Sequence, residues 1–244
     1  MSASTCMPVS SASSDRSSSA LARAALSCWG ALGLFAVALV IAASWYPGGS
    51  WTEPAREGFV PWRNFWCDLV RSQALNGVAN GASRRAASLG FAALWFALWC
   101  FWPVASSLLS PSRRAPVRVL GRISTFGLLG MAFLPSDAHP VLHGMVALAG
   151  GGLGMLCGTF CSAERLADEA RYSLRRVSGA AAVLCGAANA GLYVYVAYGG
   201  GRETTAQPSV QKLATLALLI WMSSTLACAA AYRRTHERPR PPVT

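Results

Sequence analysis

The chain has 244 residues, of which 53% are hydrophobic and only 13% are charged, and its formal net charge is +11. A soluble domain carries about 25% charged residues, so this composition argues against a soluble globular protein. The arginines flank long apolar runs and form no basic face interleaved with aromatic residues, which argues against a nucleic-acid-binding protein.

Six apolar runs fill most of the chain. A run of about 20 apolar residues crosses the roughly 30 Å hydrocarbon core of a bilayer as a helix, because a helix pairs its backbone N–H and C=O groups internally. The sequence therefore predicts an all-α, polytopic membrane helix bundle over residues 21–232, in contact with the lipid bilayer. The six predicted transmembrane helices are 21–45, 87–109, 119–134, 140–161, 177–198 and 213–232.

The two ends of the chain differ from the apolar middle. Residues 1–20 are rich in serine and alanine and bury too little apolar surface to fold alone, so we predict a disordered N-terminal tail. Residues 233–244 form a basic, Pro-rich tail. The first run has a competing interpretation as a cleaved signal peptide, but its apolar core exceeds the usual length of about 7–15 residues, so we favour a retained helix.

The distribution of basic residues predicts the orientation in the membrane. The segments on the side of both termini carry 14 of the arginines, and the opposite set carries 7 basic residues, including Lys212. Cytoplasmic loops carry an excess of Lys and Arg. We therefore predict a multi-pass protein of the cell membrane with both termini in the cytoplasm.

The outer connection 46–86 contains a predicted interfacial helix over residues 62–75. Its apolar side chains recur at the helical period of 3.6 residues and include Trp62, Phe65, Trp66 and Leu69. Asn64, Asp68 and Arg71 share the opposite face. Such an amphipathic helix lies in the interface, with its aromatic rings in the lipid or against the bundle.

Acidic and imidazole side chains are expected on this same outer side. His139 and His143 are four residues apart at the start of the fourth run, and Asp68 and Asp137 lie in outer connections. Two imidazoles and two carboxylates are suitable ligands for a divalent metal such as zinc, which activates water. We therefore name Asp68, Asp137, His139 and His143 as candidate catalytic residues, with Asp68 and the two histidines as candidate metal ligands.

Asn64 and Arg71 are expected to support this Asp/His site from the polar face of the interfacial helix. A competing interpretation is purely structural: Ser136 or Asp137 caps the fourth helix, and the histidines satisfy buried polar groups. A third interpretation is a ligand-binding role without catalysis. The sequence does not identify a cofactor other than the possible divalent metal, such as zinc.

Polar and small residues inside the runs have structural and functional interpretations. Gly150, Gly154 and Gly158 are spaced four residues apart, which favours close helix packing over a phosphate-binding loop, because a strand does not precede them. Asn189 lies in the middle of the fifth run, where it either bonds to another helix or lines a substrate path. Most cysteines lie in apolar runs, so we expect no stabilising disulfide.

The sequence contains the short motifs YPGG at 46–49, NFWCDL at 64–69 and PSD at 135–137, followed by a histidine at position 143. Together they resemble the uncharacterised bacterial membrane family catalogued as domain of unknown function 998. That family has no established activity, so the resemblance implies a multi-pass membrane protein and no reaction. A looser analogy runs to the alkaline ceramidase and adiponectin-receptor hydrolases, whose pattern needs three histidines where this membrane region has two.

The sequence predicts an integral membrane protein of unknown activity with an outward-facing Asp/His polar site. One alternative is a metal-assisted lipid hydrolase at the outer leaflet, and another is a small-molecule transporter or receptor-like membrane protein. The sequence itself does not identify partner proteins.

Overall fold

The computed structural model describes residues 11–164, 169–202 and 204–236. Over these residues the chain forms six α-helices and one short 3₁₀ helix, without a β-strand. This confirms the predicted all-α class. The α-helices are α1 (Ser11–Ser44), α2 (Gly81–Ser107), α3 (Pro111–Phe133), α4 (Pro140–Ala163), α5 (Glu169–Tyr198) and α6 (Ala206–His236).

Five of the six helices are long and apolar enough to cross a membrane, judged by length and composition. They are Ser19–Ser44, Gly81–Ser107, Pro140–Ala163, Ser173–Tyr198 and Ala206–Arg234. The exception is α3, whose first half carries four arginines, Arg113, Arg114, Arg118 and Arg122. Its apolar part is correspondingly short.

The helices extend into both predicted tails. Because α1 begins at Ser11, the second half of the segment 1–20 is helical where disorder was predicted. Once the adjoining apolar run has formed a helix, extending it needs no new nucleation step, which offsets the lower helix propensity of the serines in this segment. At the other end α6 continues to His236. Residues 1–10 and 237–244 lie outside the described residues.

Consecutive helices pack against one another around a ring. The closest partners along the chain are α1 with α2, α3 with α4, and α5 with α6, and α6 closes the ring against α2 and α1. Three connections lie at one end of the bundle: 45–80, 134–139 and 199–205. We call 45–80 the mouth loop and this end of the bundle the mouth.

An aromatic cluster holds α2 against α6 away from the mouth, at the level of the middle of α6. The ring centroids of Phe101 and Trp221 are 5.0 Å apart, and those of Phe101 and Trp102 are 5.4 Å apart. All three side chains are buried. Edge-to-face pairs at such distances stabilise a packed core beyond the burial of their area, so this cluster closes the ring between α2 and α6. We call this level of the bundle its closed end.

Glycines bring α3 and α4 into backbone contact. A Cβ built on Gly150 would lie 2.7 Å from the Cα of Gly127 and 2.8 Å from the carbonyl oxygen of Ser124. Small residues at a membrane-helix crossing permit this approach. The helix-packing interpretation of Gly150 is thereby confirmed.

The described cysteines are free thiols. They are Cys28, Cys67, Cys100, Cys157, Cys161, Cys185 and Cys228. All of these except Cys67 lie in α-helices, where they serve as small apolar packing residues.

Candidate functional site

The mouth loop folds differently from the predicted interfacial helix. In place of an α-helix over 62–75, the structure has a five-residue 3₁₀ helix, Trp66–Val70. Asp68 Oδ2 accepts the backbone N–H of Phe65 at 2.7 Å, and Asn64 Oδ1 accepts that of Val60 at 3.0 Å. Local bonds from Asp and Asn side chains to the backbone compete with α-helix formation, which explains the shorter turn.

Two glycines allow the mouth loop to fold back on itself. Gly48 and Gly49 have φ values of 138° and 83°, in the region that favours glycine. A Cβ on Gly49 would overlap the backbone nitrogen of Asn76. The Gly49 carbonyl then accepts the side-chain N–H of Asn64 at 2.7 Å. The YPGG and NFWCDL motifs therefore meet in one folded unit.

The same loop docks onto the first turns of α6. Gln211 Oε1 accepts the backbone N–H of Trp66 at 2.8 Å, and the indole of Trp66 donates to Thr215 at 3.1 Å. Lys212 Nζ donates to the carbonyl of Asn64 at 2.6 Å and lies 4.3 Å from the centroid of the Trp66 ring. A cation over an aromatic ring in a desolvated contact is stabilising. These contacts hold the 3₁₀ helix inside the mouth of the bundle.

Asp137 fastens the loop to the connection between α3 and α4. Its Oδ2 accepts the backbone N–H of Ser72 at 2.9 Å, the hydroxyl of Ser72, and the backbone N–H of Gln73 at 3.4 Å. Partial burial raises the pKa of Asp137, but these hydrogen bonds outweigh it and hold the pKa below its ordinary value. The carboxylate therefore acts as a latch for the loop.

Asp68 is the most buried carboxyl group of the mouth, with 2% of its surface exposed. Burial raises its pKa to about 6, despite the opposing hydrogen bonds from Phe65 and Asn64 and the charges of Arg71 and Lys212. A buried carboxyl group without a salt bridge is a frequent feature of functional sites. Asp68 is thus both a structural cap and a candidate binding group.

A chamber of about 630 Å³ lies behind the mouth loop, among α2, α3, α4, α5 and α6. Its wall at the mouth carries polar side chains, among them Asp68, Arg71, Ser136, His143, Gln207 and Gln211. Farther in, the wall is apolar and includes Leu94, Leu128, Met155, Val183, Leu218 and Trp221. The chamber is therefore amphipathic along its length.

The structure brings some of the predicted site residues together and separates others. Asp68, Arg71 and His143 line the chamber, and Asn64 lies behind Asp68, to which its amide donates at 3.4 Å. Asp137 is directed to the loop backbone. His139 is exposed on the surface.

The metal-site hypothesis has little geometric support. His139 is the residue before α4, and its carbonyl accepts the backbone N–H of His143 at 2.9 Å. Its φ of −138° and ψ of 61° are not helical, so its side chain does not take the helical direction that would align it with His143. His143 Nδ1 donates to the carbonyl of Leu134 at 2.6 Å, since a carbonyl oxygen only accepts. Throughout the described ranges no three His, Cys, Asp or Glu side chains are placed to hold a metal ion.

Several chamber residues were not singled out from the sequence as site residues. Gln207, Gln211, Tyr193 and Trp51 all line the chamber. A polar cluster in the first turns of the sixth helix was the available signal for the two glutamines. Asn189 also lines the chamber, and its buried Oδ1 has no hydrogen-bond partner in the part of the chain that the structure describes. This favours the interpretation of Asn189 as a path-lining residue over a bond to another helix.

Comparison with known proteins does not identify the site, so its function is inferred from its geometry. The resemblance to domain of unknown function 998 stays a prediction. No family model, no curated protein and no solved structure matches this chain.

Proposed function

We propose that this protein is a cell-membrane protein of six spanning helices that binds a single-chain amphipathic molecule in its chamber. The polar group of the ligand lies at the mouth and its hydrocarbon chain extends toward the closed end. The observation that carries the proposal is the amphipathic wall of the 630 Å³ chamber.

The outer surface of α3 supports counting it as the sixth spanning helix. Val119, Ile123 and Phe126 are large apolar side chains exposed on this helix. Arg122 does not project alone into the apolar layer, because its guanidinium lies 4.5 Å from the centroid of the Trp99 ring. With six crossings, the excess of basic residues supports a cytoplasmic location for both termini and an outer location for the mouth.

The size of the chamber fits such a ligand. Small-molecule sites commonly have volumes of about 300–1,000 Å³ and mostly apolar walls with a few placed polar groups. Along α4 the wall extends from His143 to Gly158, which at 1.5 Å per residue is roughly 22 Å. A space of this length and narrow volume accommodates one extended chain.

The apolar wall also makes water a poor occupant of the inner chamber. A buried water needs about 2–4 polar partners, and the wall beyond the mouth is formed mainly by side chains such as Leu128, Met155 and Val183. Hydrocarbon gains free energy from leaving water in proportion to its buried area. An acyl chain therefore stabilises this region where water does not.

Filling the chamber tests the proposal. Ala190 lines the chamber and Ala188, two residues away on α5, is exposed on the bundle surface. We expect Ala190→Trp to weaken ligand binding by at least about tenfold, because the indole occupies the space of the chain, and Ala188→Trp to leave binding unchanged. The measurement is native mass spectrometry of the detergent-purified full chain.

The probes are four myristoyl amphiphiles whose head groups are neutral glycerol, anionic phosphate, cationic ammonium and zwitterionic phosphoethanolamine. Saturable one-to-one binding of at least one probe, lost only in Ala190→Trp, supports the proposal. If none of the four binds, or if both variants bind like the unaltered chain, the chamber is not a ligand site.

A further inference from the structure

The chamber wall contains one acidic and one guanidinium side chain near the mouth. These are Asp68 and Arg71. The salt bridges found in the described ranges join Glu53 to Arg56 and Arg63, and Arg113 to Glu164. Neither Asp68 nor Arg71 belongs to this set, so neither side chain forms a salt bridge, although the charges of Arg71 and Lys212 act on Asp68 from a longer distance and lower its pKa.

Asp68 is held rigidly and keeps an oxygen available. Its Oδ2 is occupied by the N–H of Phe65 and the amide of Asn64. A hydrogen bond to Oδ1 is not found from any donor in the described part of the chain. Lys212 is nearby, but its Nζ is turned to the carbonyl of Asn64 and the Trp66 ring. Asp68 lines the chamber, and a carboxylate oxygen that no protein donor occupies is a strong acceptor for an ammonium group.

Arg71 is held by neutral groups. Its Nε donates to the carbonyl of Gln73 at 3.3 Å and its Nη1 to the hydroxyl of Ser136 at 3.5 Å, and its guanidinium lies 5.5 Å from the centroid of the Trp51 ring. None of these partners cancels its charge. A guanidinium fixed in this way offers its remaining N–H groups to a phosphate or carboxylate in a favourable forked geometry.

Resting on the proposed function, we infer that the chamber selects a zwitterionic head group, with an ammonium bound by Asp68 and a phosphate bound by Arg71. The matching ligand is a single-chain lipid of the lysophosphatidylethanolamine type. Its two charges are complementary to the two charged side chains of the wall that form no salt bridge, whereas a purely anionic head group leaves the buried Asp68 without a cation in contact, at a cost in free energy.

Asn189 adds a contact deeper in the chamber. Its unpartnered Oδ1 lies two and a half turns from the mouth end of α5, one turn below Tyr193. A buried acceptor without a donor is destabilising. The glycerol hydroxyl of a single-chain phospholipid lies between head group and chain, so it meets this acceptor in the proposed orientation.

Head-group competition among the four myristoyl probes tests the inference. We expect the phosphoethanolamine probe to bind at least about tenfold more tightly than the phosphate, ammonium or glycerol probe, since each charge-assisted hydrogen bond contributes about one such factor. The same native mass spectrometry titration gives the four dissociation constants.

Charge-removing variants assign each half of the head group. Asp68→Asn keeps an oxygen acceptor for the Phe65 N–H, and we expect it to weaken the phosphoethanolamine and ammonium probes about tenfold and to spare the phosphate probe. Arg71→Gln should weaken the phosphoethanolamine and phosphate probes and spare the ammonium probe. The matched control is Arg63→Gln, which removes a positive charge from the same loop outside the chamber wall.

The outcomes separate the inference from the proposed function. Equal affinity for all four probes, or tighter binding of the phosphate probe, overturns the zwitterion inference while leaving a binding chamber. Absence of binding by every probe removes both. If the three variants and the unaltered chain have equal melting temperatures, unfolding is excluded as the reason that a probe no longer binds. Asn189→Ala removes the deeper contact and leaves the mouth intact, so the probe affinities of this variant are a second measurement.

Discussion

Replacing Gly150 by leucine is expected to lower the stability of the bundle by about 1–3 kcal/mol or more, the usual cost of overpacking a close contact. The atoms that its side chain would meet are the Cα of Gly127 and the carbonyl oxygen of Ser124. Both belong to backbone, so neither can rotate away as a flexible side chain would. The axes of α3 and α4 must separate, and the measurement is thermal unfolding in detergent.

Gly152→Leu is the matched control for this substitution. A Cβ at Gly152 meets no atom within 4 Å. Both variants gain the same helix propensity, about 0.8–1 kcal/mol for replacing glycine in a helix interior, so the difference between them isolates the crossing. Equal melting temperatures for the two variants would mean that α3 and α4 do not meet at Gly150.

Asp137→Asn is expected to release the mouth loop and to lower stability by about 1.5–3 kcal/mol, nearer the lower value because its hydrogen bonds are exposed to water. The carboxylate accepts three hydrogen bonds from Ser72 and Gln73. An amide loses the charge that strengthens them. The expected readout is faster trypsin cleavage in the mouth loop, after Arg56 and Arg63, together with a lower melting temperature.

The pH dependence of the latch has a definite sign. The pKa of Asp137 is lowered in the folded protein, so its contribution to stability is present above the unfolded value of about 3.9 and is lost as pH falls through the folded pKa. The difference between Asp137→Asn and the unaltered chain should therefore be present at neutral pH and fade in acid. Glu57→Gln removes a negative charge from an exposed side chain of the same loop, and trypsin sensitivity equal to that of Asp137→Asn would show that the latch has no special role.

The helices were predictable because their pattern is local. Apolar runs of spanning length predicted five helices that the structure shows to be long and apolar enough, and the glycine spacing around Gly150 predicted a close crossing. For α3 the predicted helix was the short apolar run 119–134, and in the structure the helix begins earlier, at Pro111, with a segment that carries arginines. Arginine has a high helix propensity, so a segment that carries arginines can be helical although a search for apolar runs does not detect it.

The mouth loop was less predictable because tertiary contacts decide its form. The aromatic period over 62–75 suggested an amphipathic α-helix, whereas Asp68 and Asn64 cap backbone groups locally and Trp66 bonds to α6 across 145 residues of sequence. No local pattern encodes such a partner. The sequence led us to expect Asp68 and His143 near one another. It did not predict the apolar chamber behind them, because the chamber wall is formed by residues of several different helices.

Photo-crosslinking tests the central claim most directly, since it asks where the hydrocarbon chain of a bound amphiphile lies. The probe is myristoyl lysophosphatidylethanolamine with a diazirine at the end of its chain, and the adducts are located by peptide mass spectrometry. Neighbouring residues provide an internal comparison: Met155 and Val183 line the chamber, whereas Leu156 and Leu184 are exposed on the bundle surface, with 48% and 69% of their surface accessible. Adducts on Met155 and Val183 that disappear in Ala190→Trp are the predicted result. Adducts confined to Leu156 and Leu184 would place the chain in the surrounding lipid or detergent and contradict a ligand chamber.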